Sequence, residues 1–247
     1  HQNFTPNNLN KLRIINNVAP IETLKTFQDK VPQASQVSAY GLTEVGGVTS
    51  FGSPDDSLEH RLTTCGKPWP EVEIRILDPE TNEVLNNEQR GLIEIKGPHV
   101  FSGYLNDEEA TKKALSNDGW FSTGDIGSLT NDGYIRYHGR IKDMLKVGGE
   151  NVAALEIEAY FDSHEKILIS QVIGIEDDHL GEVPAVFIEK KPGEEISKEE
   201  LIDFCKGQIS NFKIPRYVVF VDDWPMSSTK VQKFKLKDYN LGKKVFG

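Results

Sequence analysis

From Glu71 to Leu77 the chain alternates in polarity. Val72, Ile74 and Ile76 alternate with Glu71, Glu73 and Arg75, and Ile93 and Ile95 repeat the pattern inside GLIEIKG. A period of two places successive side chains on opposite faces of a strand, so this stretch predicts antiparallel β structure with one buried and one wet face. The period changes after Asn151. Ile157, Tyr160 and Phe161 share one helical face, residues 167–175 and 185–188 read as strands, and Ser197 with Glu200 forms a capping box for a helix through Ile209. Leu201, Cys205 and Ile209 give that helix a buried stripe, and residues 217–221 read as another strand. A helix-and-strand alternation of about 100 residues is a natural second domain. The joint is expected within residues 139–143.

Upstream, residues 12–15 read as a short buried strand. Pro20 opens a helix over residues 21–30, because proline is tolerated in a first turn, and a second strand over residues 36–40 ends at Gly41. Asn106 followed by DEEATKKAL reads as a capped helix, with acids in its first turn and lysines in its last.

A chain of 247 residues can bury one large core or two ordinary ones. With 38 acidic against 28 basic residues its net charge is −10, which disfavours nucleic acid as a partner. Its apolar runs fall far short of the roughly 18 residues that span a bilayer. Cys65 and Cys205 form neither a zinc motif nor a disulfide framework, so a reducing compartment is expected, the cytoplasm. The chain starts at His1 without Met or a leader pattern, which reads as a fragment of a longer protein.

Residues that carry chemistry gather in two places. In SAYGLTEVGG, Tyr40 offers an aromatic face, Thr43 a hydroxyl and Glu44 a carboxylate, at a turn where Gly41 permits close approach to the backbone. Those groups suit stacking a base, bonding a phosphate and holding Mg²⁺; taken alone, they fit a strand end with an ordinary polar loop more readily. Asp125 in STGD suits the two hydroxyls of a ribose, or serves only as a turn residue. Asn131-Asp132-Gly133 is a hairpin signal that folds Arg140 back toward Asp125, as a ligand contact or as a surface ion pair worth about 0–1 kcal/mol.

YGLTE, GYLNDEEAT, DGWFSTGD, GYIRYHGRIKDMLKVGGENV and WPMSSTKVQKFKL occur in this order along the chain. Together they resemble the adenylate-forming, or AMP-binding, enzymes in their acyl-CoA synthetase branch, and the resemblance runs over essentially the whole chain. It implies a mixed α+β (α/β) fold. Residues 1–141 would be the end of the large core, with residues 1–64 closing an α/β subdomain and 65–141 forming a β-barrel-like antiparallel subdomain; residues 142–247 would be a small mobile lid. The resemblance further implies ATP, Mg²⁺ and CoA as co-substrates and cofactor, a small carboxylic acid, expected to be a fatty acid, as substrate, and reaction through acyl-AMP. Tyr40 would stack on adenine beside Gly41, Thr43 would contact the α-phosphate, and Glu44 would help bind Mg²⁺. Asp125 would hold the ribose, Tyr137 would flank the nucleoside, and Arg140 would lie beside ribose and phosphate. Lys142 would be the hinge, Gly148 and Gly149 would line the CoA tunnel, and Lys230 would support adenylation.

Three departures accompany the resemblance. The family's Ser/Thr/Gly-rich phosphate loop is not among these residues, so it is expected upstream of His1 and the chain alone is expected to be inactive. NNVAP at residues 16–20 stands where the family often has Gly-Gly-Ala-Pro. In PMSSTKVQKF Thr229 abuts Lys230, where a glycine commonly intervenes, leaving Lys233 as a second candidate within a basic tail. Two other functions compete with the acyl-CoA ligase: an adenylation module that loads a carrier protein, and a truncated chain that only binds nucleotide or a partner.

Overall fold

The computed structural model describes residues 9–19, 21–228 and 230–246. The readings of Pro20 as a helix opener and of Thr229 against Lys230 lie outside the described residues. The chain divides into two compact units, His1–Ile141 and Lys142–Gly247.

The first unit opens with β1 (Ile14–Asn16), α1 (Ile21–Lys30) and β2 (Ser35–Val37), and the helix makes the crossover that the parallel β1–β2 pair requires. The strand expected over residues 36–40 is interrupted at Ser38. β2 stays with β1, whereas β3 (Ala39–Tyr40) pairs with β4 (Ser50–Phe51), which in turn pairs with β5 (Lys67–Pro68). A change of pairing partner, invisible in side-chain period, is what ends β2. α2 (Leu58–Thr63) lies between β4 and β5, its first turn capped by the Ser57 hydroxyl accepting from the His60 N–H at 3.2 Å.

β6 (Glu73–Leu77), β7 (Gly91–Lys96), β8 (Phe121–Leu129) and β9 (Ile135–Arg140) form an antiparallel sheet in that order. The sheet is open; no closed barrel forms among the described residues. Ile76, Ile93, Ile95, Phe121 and Ile135 bury one face against Tyr40 and Val45. The other face is less wet than alternation suggests. Glu94 is 8% exposed because Arg75 reaches it with Nε at 2.8 Å and Nη2 at 2.7 Å while lying over the Trp120 ring. α3 (Glu108–Ala114) joins β7 to β8 and is capped by Asp107, whose carboxylate accepts from Ala110 N–H. Asn106, expected as the cap, instead takes a left-handed φ of 56° just before it, a conformation asparagine tolerates well.

The second unit contains β10 (Met144–Val147), β11 (Glu150–Ala153), α4 (Ala154–Asp162), β12 (Ile167–Asp177), β13 (Gly181–Lys190), α5 (Lys198–Cys205) and β14 (Tyr217–Phe220). Its sheet runs β11-β10-β13-β12, with β14 parallel to β13. β13 is apolar and buried throughout residues 183–188 because both faces are covered there. Val186 and Ile188 meet Ile157, Phe161, Leu201 and Cys205 on the helical side, while Ala185 and Phe187 meet Val219, Val221 and Leu236 on the other. Phe161 and Phe187 are fully buried, each contributing about 2–3 kcal/mol by leaving water. The Ser197–Glu200 capping box is present, but α5 ends at Cys205, so Ile209 packs on the same core from beyond the helix. Among the described residues, no helix is long and apolar enough to cross a membrane.

Candidate active site

Tyr40 ends β3, Asp125 lies in β8 and Arg140 ends β9, and sheet register brings the last two together. Asp125 is the direct cross-strand partner of Arg140, the pairing that the Asn131-Asp132-Gly133 turn favours. Tyr40 reaches them from the neighbouring sheet, its hydroxyl donating to Asp125 Oδ2 at 2.7 Å. Asp125 N–H in turn donates to Thr123 Oγ1 at 3.0 Å, and the Thr123 hydroxyl donates to the Ile93 carbonyl at 2.8 Å. The carboxylate is thus fixed by its strand, its neighbour in sequence and an aromatic hydroxyl.

Electrostatics make this a strained place for a charge. Asp125 is 3% exposed, and burial raises its carboxyl above the usual range, against the lowering effects of the Tyr40 hydroxyl and the Arg140 guanidinium. Burial and the Asp125 charge likewise raise the Tyr40 hydroxyl, keeping it a neutral donor. Oδ1 stands 2.8 Å from Arg140 Nε, an ion pair that leaves the oxygen buried. A carboxylate is an acceptor for hydroxyls, the polar groups a sugar offers.

Tyr137, 37% exposed, sets its ring 6.0 Å from that of Tyr40, centroid to centroid, with the planes 31° apart. The pair forms an aromatic wall beside the carboxylate. Residues 41–47 follow Tyr40 as a tight loop in which Gly46 N–H donates to the Thr43 carbonyl and Gly47 N–H to the Leu42 carbonyl. A β-carbon on Gly41 would sit 2.1 Å from the Gly47 carbonyl oxygen. The loop's own closure therefore demands glycine at 41, a reason other than the ligand approach expected there.

Thr43 is exposed and Glu44 half-buried within a short 3₁₀ turn, Thr43–Val45. Glu44 Oε1 accepts from the Tyr104 hydroxyl at 2.9 Å, and its carbonyl accepts from Phe101 N–H at 2.8 Å. Magnesium suits this donor set. No cluster of three His, Cys, Asp or Glu exists among the described residues, but magnesium is commonly held by one or two carboxylates, with phosphate and water supplying the rest. Glu44 is placed to give one carboxylate.

The remaining expected residues belong to the second unit. Lys142 is its first residue, exposed within the 3₁₀ turn Ile141–Asp143. Gly148 and Gly149 turn β10 into β11 with φ of 60° and 91°, a left-handed turn that by itself calls for glycine. A β-carbon at Gly149 meets nothing within 4 Å. Lys230 is exposed on the loop after β14, whereas Lys233 is half-buried with its ammonium 2.6 Å from Glu158 Oε1.

Tyr104 and Thr123 have no part in the site as read from sequence. Tyr104 stands in GYLND, 60 positions from the carboxylate it bonds, and nothing local marks that contact. Thr123, two residues before Asp125 in STGD, carries a local signal, since a hydroxyl at that spacing reaches the later N–H.

Two sequence models of one family match the chain: AMP-binding enzyme over residues 2–105, and AMP-binding enzyme C-terminal domain over residues 156–231. The chain belongs to the AMP-binding enzyme family. Among its relatives, the Bacillus subtilis protein named as acyl-CoA synthetase YngI is 38% identical over 98% of this chain and 45% of its own length. The mitochondrial medium-chain acyl-CoA ligase ACSF2 of Danio rerio is 39% identical over 89% of this chain and 36% of its own. This AMP-binding chain thus spans less than half the length of these curated relatives. ATP-bound MatB from Rhodopseudomonas palustris superposes with a TM-score of 0.82 at 33% identity, over 92% of this chain and 45% of that one. The o-succinylbenzoate CoA synthetase of Bacillus subtilis, in complex with its acyl-adenylate, gives 0.82 at 32% identity over 93% and 46%.

Proposed function

We propose that this chain supplies the nucleoside-binding floor and the mobile lid of an ATP-dependent acyl-CoA ligase. A carboxylate attacks the α-phosphorus of ATP, forming acyl-AMP and releasing pyrophosphate; the thiol of CoA then attacks the acyl carbon, forming the thioester and releasing AMP. The observation that carries this reading is the Tyr40–Asp125–Arg140 cluster, a buried carboxylate bonded by a tyrosine hydroxyl and paired with a guanidinium, beside an aromatic wall. Asp125 accepts the ribose hydroxyls, Tyr40 and Tyr137 flank the base, and Arg140 faces ribose and phosphate. Thr43 donates to the α-phosphate from the exposed turn. Glu44, held by Tyr104, presents its carboxylate to magnesium, which when bound offsets phosphate charge.

Lys230 supplies the cation that stabilises charge developing on the phosphoryl oxygens, and the Gly148-Gly149 turn borders the path of the CoA arm. The names of the ACSF2 relatives support a fatty acid as substrate. Two free cysteines fit a reducing compartment, the cytoplasm or the mitochondrion of the ACSF2 name.

The test is Lys230→Ala in the full-length protein. Acyl-AMP formation, followed by pyrophosphate release, should fall by about 10²-fold or more, while thioester formation from supplied acyl-AMP stays near the parent rate. Equal loss in both half-reactions would remove Lys230 from the adenylation step.

A further inference from the structure

Lys233 lies in the same basic tail as Lys230, but its surroundings differ. Glu158, on the inner face of α4, is 5% exposed, and its Oε1 accepts from Val172 N–H of β12 at 2.7 Å and from Lys233 Nζ at 2.6 Å. Burial raises the Glu158 carboxyl, and the Lys233 ammonium opposes that rise. Taking Lys233 away to serve a phosphate would strand a buried anion, which is strongly unfavourable. Lys233 therefore belongs to the fold rather than to the substrate.

The loop between the end of β14 and Lys233 is closed upon itself. Gln232 N–H donates to the Pro225 carbonyl at 2.8 Å, Met226 and Val231 form an antiparallel bridge, and Ser227 N–H donates to the Lys230 carbonyl at 2.8 Å. Each foot is tied to the body of the unit. At one, Trp224 Nε1 donates to Glu189 Oε2 of β13 at 2.6 Å; at the other stands the Glu158–Lys233 pair, followed by the fully buried Leu236. An exposed lysine on a small hairpin has little of its own to fix it, so its position follows from these two feet.

We propose that the Glu158–Lys233 ion pair is a clamp that positions the Lys230 loop for acyl-AMP formation. The proposal rests on the reading of Lys230 given above, and it makes Glu158 and Lys233 positioning residues. A buried ion pair is weak evidence for net stability, since an apolar pair often does as well; in some proteins such a pair instead fixes one geometry, and that is the role proposed here. Misplacing a reacting group by about 1 Å costs about 10²-fold in rate.

The experiment uses the full-length protein carrying Lys233→Met, Lys233→Arg, the double change Glu158→Gln with Lys233→Gln, or Lys237→Gln as an exposed control. Pyrophosphate release, thioester formation from supplied acyl-AMP, and hydrogen exchange at the Ser227 and Gln232 amides are measured. The double variant keeps a polar pair without a stranded charge, so the β12–β13 amides should stay protected. Its Ser227 and Gln232 amides should exchange about ten-fold faster or more. Its kcat for acyl-AMP formation should fall about 10- to 100-fold with KM for ATP nearly unchanged, and thioester formation should hold. Lys233→Arg should retain acyl-AMP formation within about three-fold, since a guanidinium also pairs with the carboxylate, and Lys233→Met should not. Lys237→Gln should match the parent.

Three results overturn the clamp. One is an unchanged rate of acyl-AMP formation in the double variant while Lys230→Ala still abolishes it. Another is equal loss of both half-reactions, which marks a purely structural pair. The third is Lys233→Arg failing as badly as Lys233→Met with its loop amides still protected, which makes Lys233 a direct substrate contact. If Lys230→Ala itself leaves acyl-AMP formation intact, the reading of Lys230 falls first and the clamp loses its purpose with it.

Discussion

At the scale of single residues, Asp125 is where the fold gives up stability to hold a charge. Its carboxyl is raised by burial, so the folded state binds its proton more tightly than the unfolded chain does. For such a group stability is lowest above the folded pKa and is recovered as pH falls through it toward about 3.9. The Tyr40 hydroxyl, donating at 2.7 Å, offsets part of the cost. Tyr40→Phe deletes that donor without changing the ring, and should destabilise the first unit by about 1–3 kcal/mol at neutral pH. The penalty should shrink at acidic pH, because protonating Asp125, whose carboxyl is raised by burial, relieves the unpaired anion. Urea unfolding of parent and variant at both pH values measures it, and an equal penalty at the two would show that the bond is not to a carboxylate anion. The same residues mark how far the sequence could be read. The Asp125–Arg140 pairing was legible because a turn signal lies between the two residues, whereas the Tyr40–Asp125 bond spans 85 positions and depends on two sheets meeting. Tyr104 on Glu44 was hidden for the same reason.

At the scale of elements, the helix-capping box survived as a local signal while the strand that depended on its pairing partners did not. The Ser197–Glu200 box lies within one turn and is present as read, while the strand expected over residues 36–40 is broken where β2 and β3 choose different neighbours. The glycine pair between β10 and β11 is instructive because two causes overlap there. Positive φ at both residues requires glycine for the hairpin alone, and the open space beside Gly149 suits a ligand as well. Substitutions separate the causes. Gly149→Leu forces a branched side chain into a left-handed turn, at a cost of about 1–2 kcal/mol, and fills the space; Gly149→Asn fills it too but tolerates the turn far better. Thermal melts should therefore show Leu less stable than Asn. In the full-length protein both should slow transfer to CoA and spare acyl-AMP formation. If Asn transfers at the parent rate and only Leu fails, the turn matters and the space does not.

At the scale of the whole molecule, the two units meet in sequence between Ile141 and Lys142, inside a 3₁₀ turn of three residues. The proposed reaction uses the second unit twice, first for Lys230 and then for the glycine turn, and on that proposal the unit is rearranged after pyrophosphate leaves and before the thiol arrives. On the same proposal the φ and ψ of Lys142 and its neighbours absorb that change. Proline at 142 would hold φ near −65° and push Ile141 away from helical values, so Lys142→Pro fixes one arrangement of the joint without touching either site. Acyl-AMP formation in the full-length protein should persist, while transfer to CoA should slow by about 10²-fold or more. Cleavage by a protease near Asp143 should respond to ATP and to CoA in the parent and in Gly149→Leu, where the joint still moves, but not in Lys142→Pro. Parent-like turnover of acyl-CoA by Lys142→Pro would show that the joint lies elsewhere, and residues 141–143 would then be no more than the turn that ends β9.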